Sequence, residues 1–346
     1  MVVIYHTTVS LAGLKGAKVA PWTNGAAGVD IFFVISGFVM AVSTIGREHK
    51  IHPARSFLER RFIRLIPLYW AMTLLMVLKL AILRIAPRGQ QSPYILETPF
   101  RDVLSSMLFL PYRNSAGLVY PIVPAGWTLS YEMLFYGLFA LALALRMRVA
   151  ALLAPVMILL ALVGLFRTDS WPTFTVLADP LLLEFLAGLL LGEAIIRGFS
   201  GWPPLFVTLG LVAIPVILFI PEKDPPTMRV LFWGVPAYLL VLAVVSIEDR
   251  FGSRWPRWML LTGDASYSLY LSHIFLLPFL INALIRVHLV PKAVRGPWDE
   301  FVPTAVVLTF CLLAAALLYR FVEEPTTNFL RLRLLHEGKP RSAAAS

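Results

Sequence analysis

The stretch GVDIFFVISGFVMAVSTIGREHKIHPARSFLERRFIRLIPLYW, residues 28–70, decides the fold. It opens with an apolar run carrying a single acid, Asp30. A basic link follows, ending in Arg60, Arg61 and Arg64, and the chain turns apolar again around Pro67. A helix needs about 20 apolar residues to cross a bilayer. The letters therefore read as a span, a charged link and a second span. Inside lipid each span must satisfy its own backbone groups, which favours helices.

The whole chain repeats this pattern. Of its 346 residues, 58% are hydrophobic and 14% charged, with a mean hydropathy of +0.77, whereas soluble domains are about one-quarter charged. The composition predicts an all-α polytopic membrane protein, a bundle of about ten transmembrane helices. The apolar runs place them at 1–13, 27–46, 65–86, 125–146, 149–166, 179–197, 203–220, 228–247, 265–286 and 302–322. The run at 100–112 is too short to span and reads as an interfacial or re-entrant helix. Residues 1–335 then make one transmembrane domain, and the polar, alanine-rich 336–346 a disordered cytoplasmic tail. The first run is short for a span, and the expectation is a true start upstream of Met1.

A net charge of +10 could point to nucleic acid, but the cations gather in links between spans. They are Arg47, Lys50, Arg55, Arg60, Arg61 and Arg64 in one link, Arg146 and Arg148 in another, and Arg250, Arg254 and Arg257 in a third; Arg331, Arg333, Lys339 and Arg341 lie in the tail. With ten alternating spans these share one side, which the positive-inside rule makes cytoplasmic, with both termini there and the protein in the inner membrane. Nucleic acid is excluded as a partner on this reading, and membrane lipids are implied. The single cysteine, Cys311, forms no framework, and no HExxH or Cys–His cluster predicts a metal. The absence of G-x-S-x-G argues against a serine hydrolase.

Ionisable groups within spans mark candidate functional positions. Counting along the helices puts His6 and Glu132 each about 10 Å deep from the outer face. Asp30 and Glu184 fall in the same half, and His273 in the inner half. His6 and Glu132 are either a histidine base held by a carboxylate or two unrelated polar groups. Arg64 follows Arg61 by three residues and Arg60 by four, so all three share a helix face. They suit either the phosphates of a ligand or lipid headgroups, and spacing alone favours the headgroups. Ser36-Gly37 reads as close helix packing. Trp127 and tyrosines 69, 131 and 136 read as an interfacial belt, and Glu323-Glu324 as a solvated helix end. A multi-pass transporter is the rival to an enzyme.

Six stretches, VVIYH (2–6), GVDIFFVISGF (28–38), FLERRFIRLIPLYW (57–70), WTLSYEMLFYGLF (127–139), TGDASYSLYLSHIF (262–275) and VEEP (322–325), together resemble the acyltransferase 3 family of integral-membrane acyltransferases. The resemblance implies about ten helices and no bound cofactor. It also implies transfer of an acyl group, most commonly acetyl, from cytosolic acyl-coenzyme A to a hydroxyl of a carbohydrate, glycolipid or related acceptor. Matched residue by residue, His6 and Glu132 would be catalytic, and Arg60, Arg61, Arg64 and His273 would bind the donor. Asp30, Ser36, Gly37, Tyr69, Trp127 and Ser130 would support them. An arginine that the family carries about ten residues before the first histidine has no counterpart here, which predicts a misassigned start or an inactive member.

Overall fold

The computed structural model describes residues 1–14, 20–45, 53–85, 99–115, 117–168, 170–199, 202–221, 226–251, 255–290 and 297–335. Arg47, Lys50, Arg254, Lys339, Arg341, the side chain of Arg250 and the expected tail at 336–346 lie outside them. Among the described residues every regular element is helical: α1 (Val2–Ala12), α2 (Gly28–Thr44), α3 (Pro53–Ile85), α4 (Phe100–Met107), α5 (Trp127–Ala144), α6 (Val149–Gly164), α7 (Leu182–Ile196), α8 (Pro203–Phe219), α9 (Pro226–Arg229), α10 (Val235–Phe251), α11 (Arg257–Asp264), α12 (Ser266–Arg286), α13 (Pro297–Leu318) and α14 (Glu324–Leu334). Two π-helical turns, Val230–Gly234 and Tyr319–Glu323, join α9 to α10 and α13 to α14. Among the described residues six helices are long and apolar enough to cross a bilayer, and Val2–Ala12, Val149–Gly164 and Pro203–Phe219 are shorter apolar helices. The protein is thus the helical, membrane-embedded bundle its composition predicts; the six and the three shorter helices make nine among the described residues, and ten crossings would require α7 as well.

The expected start of the third helix is corrected. It begins at Pro53 rather than near residue 65, so Arg60, Arg61 and Arg64 lie on the helix and not in a link. Proline suits a first helical turn, where its missing N–H has no partner to lose. Arg55 then pairs with Glu59 one turn on, at 2.7 Å. Charge masks these turns in a hydropathy reading without unwinding them. Farther along, Leu74, Leu75, Leu78 and Ile82 are exposed on α3, at spacings that make one lipid-facing stripe.

The bundle is built around α5. Phe33 of α2 stacks on Phe185 of α7 at 4.4 Å, and Phe185 on Phe135 of α5 at 5.0 Å. α2 and α7 run side by side and nearly touch. A Cβ on Gly37 would collide with the Phe185 carbonyl, and one on Gly188 with the Val34 carbonyl. Small residues that let backbones approach are the usual glue between membrane helices.

The basic links converge on one end. Arg61 Nη2 donates to Ser43 Oγ at 2.7 Å, joining the start of α3 to the end of α2. The backbone N–H of Ala150 donates to Glu193 Oε1 at 3.2 Å, joining the start of α6 to the end of α7. α14 packs on α3. At the opposite end, Asn24 Nδ2 donates to the carbonyls of Ile217 and Ile220 at 3.1 and 2.6 Å. Trp233 Nε1 adds a bond to Ile220 O at 3.0 Å and Trp22 Nε1 one to Leu218 O at 3.2 Å, so side chains cap the end of α8.

Candidate active site

Among the cavities of the described residues, two bring expected site residues together. The first, about 550 Å³, is lined by His6, Trp127, Ser130, Asp179, Arg229 and five tyrosines: Tyr5, Tyr112, Tyr120, Tyr131 and Tyr270. The second, about 350 Å³, reaches toward the basic end, with Arg61, Arg64, Ser36, Glu132 and Tyr136 set among apolar side chains. Val2, Val29 and Tyr270 line both, so the cavities meet at one thin wall. Arg60 does not line the second cavity, so the three expected arginines divide, two facing it and one not.

His6 is half-buried on α1, and its ring lies 5.2 Å from that of His273 on α12, centroid to centroid. Depth counting put His273 in the other half of the bilayer. In the structure α1 packs beside α12, with Val3 and Leu11 in one cluster with Leu277, Ile281 and Leu284. His273 Nδ1 sits 3.1 Å from the Leu269 carbonyl. A carbonyl only accepts, so Nδ1 carries the proton and, in the neutral ring, Nε2 keeps its lone pair. Nε2 is buried with no hydrogen-bond partner. His273 lines neither cavity and does not stand with the arginines.

The expected His6–Glu132 pair does not form. Glu132 Oε1 accepts hydrogen bonds from Ser36 Oγ at 2.6 Å and Tyr136 Oη at 2.9 Å, within the second cavity. Equal depth along two helices left their separation across the bundle open, and His6 faces the first cavity.

Comparison with known proteins fits this picture. Residues 1–320 match the family described as "Acyltransferase domain". The chain belongs to the acyltransferase 3 family. It is 34% identical over 335 residues to the "Exopolysaccharide production protein ExoZ" of Rhizobium meliloti (strain 1021), covering 93% of this chain and 96% of that one. No solved structure matches.

In this acyltransferase Asp30 does not line either cavity. It is fully buried and takes Arg229 in a two-pronged pair, Nε to Oδ1 at 3.1 Å and Nη2 to Oδ2 at 2.9 Å. The guanidinium also lies 5.0 Å from the Trp233 ring. Glu184, 2% exposed, packs under Gly234 of the adjoining π-helical turn, and a Cβ there would meet its Oε1 at 2.7 Å. Arg229 escaped the sequence reading, although a lone acid within a span implies a cationic partner. Asp179, in the link before α7, completes this side of the first cavity. Burial raises its carboxyl above the usual range, opposed by the Leu181 N–H and the charge of Arg167.

The remaining expected residues are placed as follows. Trp127 and Ser130 line the first cavity, while Tyr69 is fully buried and stacks on Phe109 at 4.7 Å. Gly37 is a packing residue. Glu323 is no solvated helix end: it is 7% exposed and accepts a hydrogen bond from Ser268 Oγ. It is the buried residue of the π-helical turn that joins α13 to α14.

Proposed function

We propose that this membrane acyltransferase moves an acyl group from acyl-coenzyme A, held in the cavity at the basic end, to a hydroxyl of a carbohydrate held in the aromatic cavity. The observation that carries this reading is the shared wall of Val2, Val29 and Tyr270, with His6 on its acceptor side. Arg64, the exposed arginine of that cavity, suits the donor phosphates, because guanidinium forks match phosphate oxygens. The thioester then lies at the wall. His6 takes the acceptor hydroxyl proton as that oxygen attacks the thioester carbonyl. The carbon–sulfur bond breaks, and the leaving thiolate receives the proton, giving an ester and free coenzyme A.

His273 packs against His6 and helps set its ring, a role in place of the donor contact its motif implies. Six aromatic side chains around the first cavity suit the apolar faces of sugar rings, with Ser130 and Asp179 for hydroxyls. The related ExoZ is described by exopolysaccharide production, which favours a polysaccharide or its lipid-linked precursor as acceptor. Acetyl is the donor group that the family resemblance favours. The basic end faces the cytoplasm, where acyl-coenzyme A is found, and the protein lies in the inner membrane.

The test uses protein in lipid nanodiscs with radiolabelled acetyl-coenzyme A and isolated exopolysaccharide or lipid-linked oligosaccharide. Acceptor-dependent release of coenzyme A with label on the glycan, lost in His6→Ala, is expected. Solute counterflow with no coenzyme A released would assign a transporter instead.

A further inference from the structure

The second cavity holds two polar groups that the protein leaves unmatched. Glu132 is 2% exposed, and its Oε1 takes both available donors, Ser36 and Tyr136. Its Oε2 is buried and accepts nothing. Arg61 spends Nη2 on Ser43, while its Nε is buried and donates to nothing among the described residues. Both side chains line the cavity. Glu132 Oε2 and Arg61 Nε do not bond to each other. Buried polar groups without partners are rare, and an orphaned pair facing one cavity implies a ligand that completes both.

That ligand must offer a donor to a carboxylate and an acceptor to a guanidinium N–H. A phosphate offers only acceptors to the pair, and an alkyl chain offers neither. A secondary amide offers an N–H and a C=O. We infer that Glu132 and Arg61 form an amide-recognition subsite, in which Glu132 Oε2 accepts the N–H of a pantetheine amide and Arg61 Nε–H donates to an amide carbonyl. Glu132 is then a donor-specificity residue and not part of the proton-transfer machinery at His6. The inference rests on the proposal that the donor is acyl-coenzyme A. Ser36 and Tyr136 hold the carboxylate in place by occupying Oε1, which leaves Oε2 for the ligand. The phosphates lie nearer the end of the cavity where Arg64 is exposed.

The experiment measures coenzyme A binding by detergent-solubilised protein, using two coenzyme A analogues, each with one pantetheine amide replaced by an ester. This swap removes one N–H and keeps the carbonyl. The wild type is expected to bind one of the two esters about tenfold more weakly than coenzyme A, the scale of a hydrogen bond to a charged group. Glu132→Gln, whose amide can still turn its oxygen elsewhere, is expected to bind all three within about twofold of one another. A wild type indifferent to both replacements would overturn the subsite without any variant. A Glu132→Gln protein that keeps the full preference would overturn the role of Glu132. A wild type that binds no coenzyme A would overturn the donor proposal and the subsite together.

Discussion

His6 and His273 lie ring beside ring, 5.2 Å apart, although they come from opposite ends of the chain. His273 is locked by the Leu269 carbonyl into one tautomer, with an unshared Nε2 beside the ring that faces the first cavity. Replacing His6 with alanine is expected to lower turnover by about 10²–10⁴-fold, the range for a lost general base. His273→Phe keeps an aromatic ring, slightly larger, against His6 and removes both nitrogens. It is expected to lower kcat by about tenfold or more with little change in either KM, measured in the nanodisc assay. Parental turnover in His6→Ala would remove the histidine from the chemistry.

The two cavities predict separable kinetic defects. Arg64→Gln is expected to raise the KM for the acyl donor by about tenfold, as for a lost charge-assisted contact, with the acceptor KM unchanged. Tyr120→Ala, in the other cavity, is expected to do the reverse. Initial rates with each substrate varied in turn check this, and equal changes in both constants for either variant would contradict the assignment.

The Asp30–Arg229 pair makes a stability prediction. Asp30→Ala alone leaves a largely buried guanidinium without its carboxylate, and Arg229→Ala leaves a fully buried acid. Each is expected to destabilise by about 3–5 kcal/mol, whereas the double variant should lose less than the sum. Thermal unfolding in one detergent, run on all four proteins, reads the coupling. Additive losses would show that the pair is not the unit the geometry describes.

Two glycines in neighbouring helices are expected to respond with opposite signs. Gly188→Ala pushes a methyl group into the Val34 carbonyl and should lower the unfolding temperature sharply. At Gly137 nothing lies within 4 Å of the added carbon, so Gly137→Ala should stabilise by up to about 1 kcal/mol through helix propensity alone. The same thermal assay compares them.

Much of this architecture was legible in the letters, because apolar length and helical repeat are local properties. The spans near α2, α5, α8 and α12 fell within a few residues of their observed bounds. The start of α3 was missed because hydropathy responds to charge, and about three turns of this helix are charged yet helical. Depth was legible only coarsely, since His273, counted into the inner half, packs against His6, and lateral neighbours were not legible at all. Glu132 and His6 therefore looked like partners, and His273 and Arg229 did not. Arg229 was within reach: Asp30 required a countercharge, and Arg229 begins an apolar span from the same end.

The wall of Val2, Val29 and Tyr270 also bears on the membrane voltage. When both cavities are filled by water or polar substrate, each carries the potential of its own compartment inward. The drop that elsewhere spreads over about 30 Å of hydrocarbon is then compressed into the few side chains between them. His6 and Tyr270 stand in that steep field, where moving one elementary charge the whole way is worth about 2.3 kcal/mol per 100 mV. In the proposed reaction a proton passing between hydroxyl, imidazole and thiolate would travel along this axis, and acyl transfer across the wall would then respond to the membrane voltage.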